Sequence, residues 1–181
     1  MAKTRIEEKL KIPADIQINV EGRLIRAKGK KGSLEKTWVD NKIKAKQQDN
    51  ELIFYADEKP TKREKTNINT LRAHVRNMIK GVNEGYLYKL KICSGHFPMN
   101  VSVSGSEFIV KNFLGEKTPR KIQFQKEVKI TVQGQDVLVE GIEKDLVSQT
   151  AANIEQLTRR TNFDKRIFQD GIYITQKDAE K

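Results

Sequence analysis

The sequence predicts an α+β fold made of two duplicated small domains, each an antiparallel β-sheet packed against one α-helix. Three observations predict it. Sliding the chain back by 85 positions lays Phe97-Pro98 on Ile12-Pro13, Val101 on Ile16, Val103 on Ile18 and Ile109 on Leu24, then Val128 on Ile43, Ile130 on Ala45 and Val137 on Leu52. A constant offset through two strand pairs marks an internal duplication. Each copy also alternates apolar and polar residues over short runs broken by Gly and Asn turns, the pattern of half-buried strands. Finally, each copy ends in one stretch of helical period. The helices align at an offset of 79, Val75 on Ile154 and Met78 on Leu157, so six extra residues precede the first helix and are expected to loop out.

Residues 1–11 are polar and charged, and a frayed or partner-bound start is expected there. Ile16, Ile18 and Val20 alternate with Gln17 and Asn19, Gly22 closes a turn, and Leu24 to Ala27 returns as the second strand of a hairpin. Lys28 to Gly32 reads as a basic glycine loop, and Leu34 to Val39 is strand-like. A second hairpin spans Ile43 to Lys46 and Leu52 to Tyr55 about Asp49-Asn50. The run from Asp57 to Lys65 reads as a solvated connection. From about Thr66, Ile68, Leu71, Val75, Met78 and Ile79 recur at helical spacing, with Gly81 as the expected stop.

The second copy opens on a strand, Gly85 to Cys93, that the first lacks in this form; Tyr86, Tyr88, Leu90 and Ile92 share its inner face. Two hairpins follow, then a helix over Glu143 to Leu157 with Leu146, Thr150, Ala151, Ile154 and Leu157 on one stripe. The chain closes in a basic, aromatic tail from Thr158 to Ile174. The expected division is residues 1–82 for the first repeat and 83–181 for the second with its tail.

The chain has 181 residues, with 35 Lys+Arg against 24 Asp+Glu, a net +11. Such an excess attracts polyanions, nucleic acid foremost. No apolar run approaches the 18 or so residues of a membrane span, and Met1 to Pro13 lacks the apolar core of a secretory signal, so neither membrane nor export is expected. The lone Cys93 forms no internal disulfide and fits a reducing cytosol.

Catalytic chemistry is poorly supplied. His74, His96 and Cys93 are too few for a Cys/His metal centre, and no third group orients the Cys93–His96 pair. Gly29-Lys-Lys-Gly32 lacks the spacing of a nucleotide-phosphate loop. Asp and Glu are scattered rather than clustered for metal ions. No enzyme, metal or cofactor is expected.

Polyanion binding is better supplied. In Lys111-Asn112-Phe-Leu-Gly115-Glu-Lys117-Thr-Pro-Arg120-Lys121, a glycine allows close backbone approach and four cations surround it. In the tail, Arg159, Arg160, Lys165 and Arg166 interleave with Phe163 and Phe168, a mixture suited to an RNA surface. Phe168, Ile172 and Tyr173 are expected to pack back on the sheet. Total charge points elsewhere. Residues 1–82 hold 20 basic and 11 acidic side chains, a net +9, whereas residues 83–181 hold 15 and 13, a net +2.

The duplicated unit, Gly81-Val82 leading to Gly85-Tyr86, the Asn112-Phe-Leu-Gly-Glu-Lys117 loop and above all Arg166-x-Phe168-x-Asp170-Gly-Ile-Tyr-Ile174 resemble the sixth protein of the large ribosomal subunit. The archaeal and eukaryotic branch, whose eukaryotic member is traditionally numbered nine, matches best, and the resemblance covers essentially the whole chain. It implies a structural, non-catalytic protein bound directly to large-subunit rRNA beside the sarcin–ricin loop, near where translational GTPases dock and next to other large-subunit proteins in the cytoplasm. It also implies that the second repeat is the main RNA binder, against the charge totals. One position departs from the family pattern: three residues before Arg166, where a basic residue is usual, stands Phe163. The alternative is a free regulatory RNA-binding module, which would expose aromatics on a sheet face. Tyr86 and Tyr88 are the candidates for that, and both are expected inside.

Overall fold

Two copies of one topology make up the protein, a computed structural model that describes residues 6–48, 50–56, 60–164 and 166–178. Asp49, Asp57, Glu58, Lys59, Lys165 and residues 1–5, to which some expectations above were attached, lie outside the described residues. The chain divides into two compact units, Met1–Gly85 and Tyr86–Lys181.

The first unit contains β1 (Ile6–Lys11), β2 (Gln17–Glu21), β3 (Leu24–Gly29), β4 (Gly32–Thr37), β5 (Ile43–Gln48), β6 (Glu51–Ala56) and α1 (Lys62–Asn83). Its strands form two three-stranded antiparallel sheets, β2-β3-β4 and β1-β6-β5. The second unit contains β7 (Tyr86–Cys93), β8 (Asn100–Ser104), β9 (Glu107–Lys111), β10 (Arg120–Gln123), β11 (Lys129–Gln133), β12 (Asp136–Gly141), α2 (Lys144–Leu157) and β13 (Gly171–Gln176). Its sheets are β10-β9-β8 and β11-β12-β7-β13. Strand for strand the two orders coincide, with β13 added on the free side of β7. The fold is α+β with duplicated domains; in each unit two small sheets stand where one was expected.

The repeat does not keep one offset. In the second hairpin Leu52 pairs with Gln47 and Val137 with Val132, and the shift is 85. In the first hairpin the turn glycines decide it: Gly22 (φ +61°) matches Gly105 (φ +59°), a shift of 83, so Ile18 corresponds to Val101. A slip of two leaves every side chain on its original face, so alternation alone could not reveal it. The strand thought missing from the first copy is β1, paired with β6 as β7 pairs with β12. Residues 6–11 are therefore sheet rather than a frayed start.

The helix of the first unit also begins earlier than its apolar period suggests. Thr61 accepts from the Arg63 N–H at 3.3 Å, while the Glu64 carboxylate accepts from the Thr61 N–H at 2.8 Å and from its hydroxyl. This capping box satisfies donors that a helix start leaves unpaired. The six extra residues are thus split between the connection and an added helical turn, and α1 runs through Gly81 instead of stopping there. Two separate cores result. Ile25, Leu52, Phe54, Ile68, Val75 and Val82 are fully buried in the first, and Leu90, Phe108, Val137, Val139, Ile154 and Ile172 in the second. Each such side chain is worth about 1.5–3 kcal/mol of apolar burial.

A candidate RNA interface on the second unit

The connection from β9 to β10 is not an open hairpin tip. Phe113 turns inward and is 1% exposed, anchoring a single turn of 3-10 helix over Phe113–Gly115. Around it Asn112 (φ +59°), Leu114 (φ +49°) and Gly115 (φ +78°) all occupy the left-handed region. Leucine rarely does so, and such outliers persist where surrounding packing over-determines the backbone. The Asn112 amide donates to the Pro98 carbonyl at 3.1 Å, and the exposed Phe97 ring lies 3.7 Å from where a Gly115 side chain would begin.

Arg120, at the start of β10, links this loop to the tail. Its guanidinium holds both oxygens of Glu116 at 2.8 Å and donates to the carbonyls of Leu157 at 2.6 Å and Arg159 at 3.4 Å. Its plane lies 4.5 Å from the centre of the Phe113 ring. Arg160 reaches the same Glu116 carboxylate and covers the Phe163 ring at 5.0 Å. Hydrogen bonding by Arg120 is the main reason the Glu116 carboxyl lies below its ordinary pKa. Two segments about 40 residues apart therefore meet at one acidic residue, whose negative charge holds both arginines.

The predicted site residues fall into two groups. Arg120 and Arg160 are half-buried and largely engaged within the protein. Lys111, Lys117, Lys121, Arg159 and Arg166 are exposed. Among these, Lys121 is 3.7 Å from Glu107, and Arg166 is clamped to Asp164 at 2.7 Å with its side chain still 89% exposed. Asn112 and Gly115 shape the backbone, and Lys165 is outside the described residues.

The tail is tied down by buried polar contacts that the sequence pattern did not signal. β13 pairs with β7, the Ile172 N–H donates to the Thr158 hydroxyl at 2.9 Å, and the Ile174 N–H donates to Glu155 at 2.9 Å. Asp170 accepts from the Gly95 N–H at 2.7 Å, the His96 N–H at 3.0 Å and the His96 ring at 2.6 Å. Burial pushes the Asp170 carboxyl up, but the His96 and Gly95 donors outweigh it and its pKa is lowered. His96 thus has a structural contact, and Phe168 stacks on it at 4.7 Å. Phe168 is placed by that stack and Ile172 is fully buried; Tyr173 lies across Gly171 and donates to the Asp170 carbonyl at 3.4 Å, yet remains 43% exposed. Tyr86 and Tyr88 are buried at 1% and 6%, so neither offers a ring to a partner.

The basic glycine loop of the first unit is differently occupied. A side chain on Gly29 would come within 2.7 Å of the Val82 carbonyl, so this glycine serves the approach of the β3–β4 turn to the end of α1. Lys31 donates to the Glu84 carbonyl through its ammonium and to Val82 through its backbone, and Lys30 pairs with Asp15 at 2.7 Å. Among the described residues no cluster of His, Cys, Asp and Glu could hold a metal ion. No helix among them is long and apolar enough to cross a membrane.

A family model described as Ribosomal protein L6 matches the chain twice, over residues 12–85 and 97–171. The chain is 40% identical over 183 residues to the large ribosomal subunit protein uL6 of Sulfurisphaera tokodaii, covering 99% of this chain and 96% of that protein. It is 42% identical over 172 residues to the protein of the same name from Methanosarcina mazei, covering 95% and 97%. The Aeropyrum pernix counterpart is 39% identical over 184 residues, covering 99% of each.

Proposed function

The chain belongs to the ribosomal protein L6 family of the large ribosomal subunit, and from that premise we propose that its second unit is the main rRNA-binding unit, docking beside the sarcin–ricin loop near the landing site of translational GTPases. Its role there is structural: it neutralises phosphates and braces RNA tertiary structure without catalysing a reaction. The observation that carries this reading is the meeting of the β9–β10 loop and the tail at Glu116. That junction supports exposed cations on both segments, Lys111 and Lys117 on one side and Arg159 and Arg166 on the other. Charges on a rigid support keep their geometry when RNA arrives, so less ordering entropy opposes binding. Backbone and shape recognition of this kind needs little reading of bases.

The test is footprinting of the full chain on transcribed large-subunit rRNA. Protection at and around the sarcin–ricin loop is the expected result. Protection confined to distant helices would overturn the location, and no protection at all would overturn direct binding.

A further inference from the structure

Beside the C-terminal end of α2 the second unit has a cleft of about 270 Å³. Leu114, Gln156, Arg159, Arg160, Phe163 and Tyr173 are among the residues that line it. We infer that this cleft receives one unstacked nucleotide of the bound RNA, its base against the face of the Phe163 ring opposite the Arg160 guanidinium and its phosphate toward Arg159. The inference rests on RNA binding by the second unit and adds a defined subsite to it.

Phe163 and Tyr173 remain 39% and 43% exposed although a core is close at hand. The Phe163 ring is nonetheless held in place. It meets Phe168 edge-on at 4.9 Å and 87°, Phe168 stacks on His96 at 4.7 Å, and His96 is bound to Asp170, whose side chain is only 3% exposed. A chain of contacts from a buried carboxylate thus presents an exposed ring, so stacking on it costs little further ordering. The volume falls just below the range of about 300–1,000 Å³ for drug-sized ligands and suits a single ring system. Two carboxylates line the cleft as well, but Glu155 accepts from the Ile174 N–H and Asp170 from Gly95 and His96, while Arg160 is held by Glu116, so the exposed Arg159 is the charge directed to an occupant. The exposed Gln156 amide, whose oxygen accepts from Arg159 at 3.4 Å, has its NH2 donors for a base edge. Bases inside a duplex are stacked and cannot enter, so the nucleotide comes from a loop, bulge or end.

The test uses the full chain, a transcribed large-subunit rRNA fragment that it protects, and a fully paired duplex of equal length. Removing one stacking ring from such a site lowers affinity by about 5- to 150-fold. Phe163→Ala should do so on the fragment without changing the slope of affinity against salt, should leave duplex binding unaltered, and Phe163→Trp should restore it. Ultraviolet cross-linking of the unaltered protein should place a nucleotide on the peptide bearing Phe163 or Tyr173. If the protein binds the fragment but Phe163→Ala stays within twofold, the subsite is wrong and the RNA interface stands. If Phe163→Ala weakens binding only by loosening the tail, cross-links fall elsewhere, which also overturns the inference and leaves the cleft to a protein neighbour. If the unaltered protein binds no fragment, the underlying reading fails as well.

Discussion

Arg120, at the start of β10, and Lys117, in the loop before it, sit three residues apart, and the physical roles of the two differ. Arg120 is half-buried and satisfies the Leu157 and Arg159 carbonyls and Glu116. Charge-assisted hydrogen bonds are worth about 1.5–3 kcal/mol each when removal leaves partners unsatisfied. Arg120→Ala should therefore lower stability by about 2 kcal/mol in denaturant titrations. Lys117→Ala should change it by less than about 0.5 kcal/mol while still weakening rRNA binding. Equal destabilisation by the two would deny that Arg120 braces the loop. Glu64 offers a second test. Hydrogen bonds from Thr61 hold its carboxyl down to about 2 in the folded protein, against an ordinary value of 4.5. A depressed carboxylate contributes stability at pH values above its unfolded pKa and loses it as pH falls through the folded one. Glu64→Gln should thus lower the thermal midpoint at pH 7, and the gap should close between about pH 4.5 and 2. A gap that stays constant over that window would deny the carboxylate its capping role.

Elements of the two units match in order but differ in how they are secured. α1 gains a capped extra turn through Thr61 and Glu64. α2 has no side-chain cap at its start; at its end the Thr158 and Arg159 N–H groups meet the Glu155 and Gln156 carbonyls, and Arg120 meets that of Leu157. β13 depends on Thr158, a residue only 4% exposed that accepts from the Ile172 N–H. Thr158→Val keeps the shape and removes that acceptor. A buried N–H left unpaired costs about 1–3 kcal/mol, and the nearest cooperative unit is the tail. Hydrogen exchange should therefore accelerate at residues 171–176 before it does so in α2. Uniform acceleration across the second unit would mean that the tail unfolds only with its core.

At the scale of the whole molecule the question is which unit holds the RNA. By sequence the first, residues 1–85, carries net +8 and the second, residues 86–181, net +3. Spread charge counts for little beyond a Debye length of about 8 Å, and Lys30 and Lys31 are engaged within the first unit. Neutralising Lys111 with Lys117, or Arg159 with Arg166, should reduce rRNA affinity more than neutralising Lys28, Lys30 and Lys31 together. All three variants should be compared at one salt concentration after each is shown to be folded. The unaltered protein should lose about 0.7–0.9 log units of affinity per log of salt for each phosphate neutralised. A dominant loss from the first-unit variant would move the site there, and a flat salt response would remove phosphate neutralisation as the mechanism.

Much of this protein was legible in its residues. Alternating apolar positions and two helical stripes specify the duplicated α+β plan, because burial of one face needs only a period, and a period is local. Thr61-x-x-Glu64 carries a start signal for α1 that reading residues 57–65 as a solvated connection misses, and β1 is missed because Glu8, which accepts from Arg72, interrupts Ile6 and Leu10 on its inner face. The slip of two residues between the first hairpins was not legible from the apolar alternation, since a period of two is blind to it. Nor was the division of the cations. Lys117 and Arg120 look alike in a basic loop, and only the folded chain brings Glu116, the end of α2 and the tail around one of them. Composition and spacing determined that this chain carries charge for a polyanion; which charges brace the surface and which face outward was decided by contacts between residues some 40 positions apart, which no local pattern encodes.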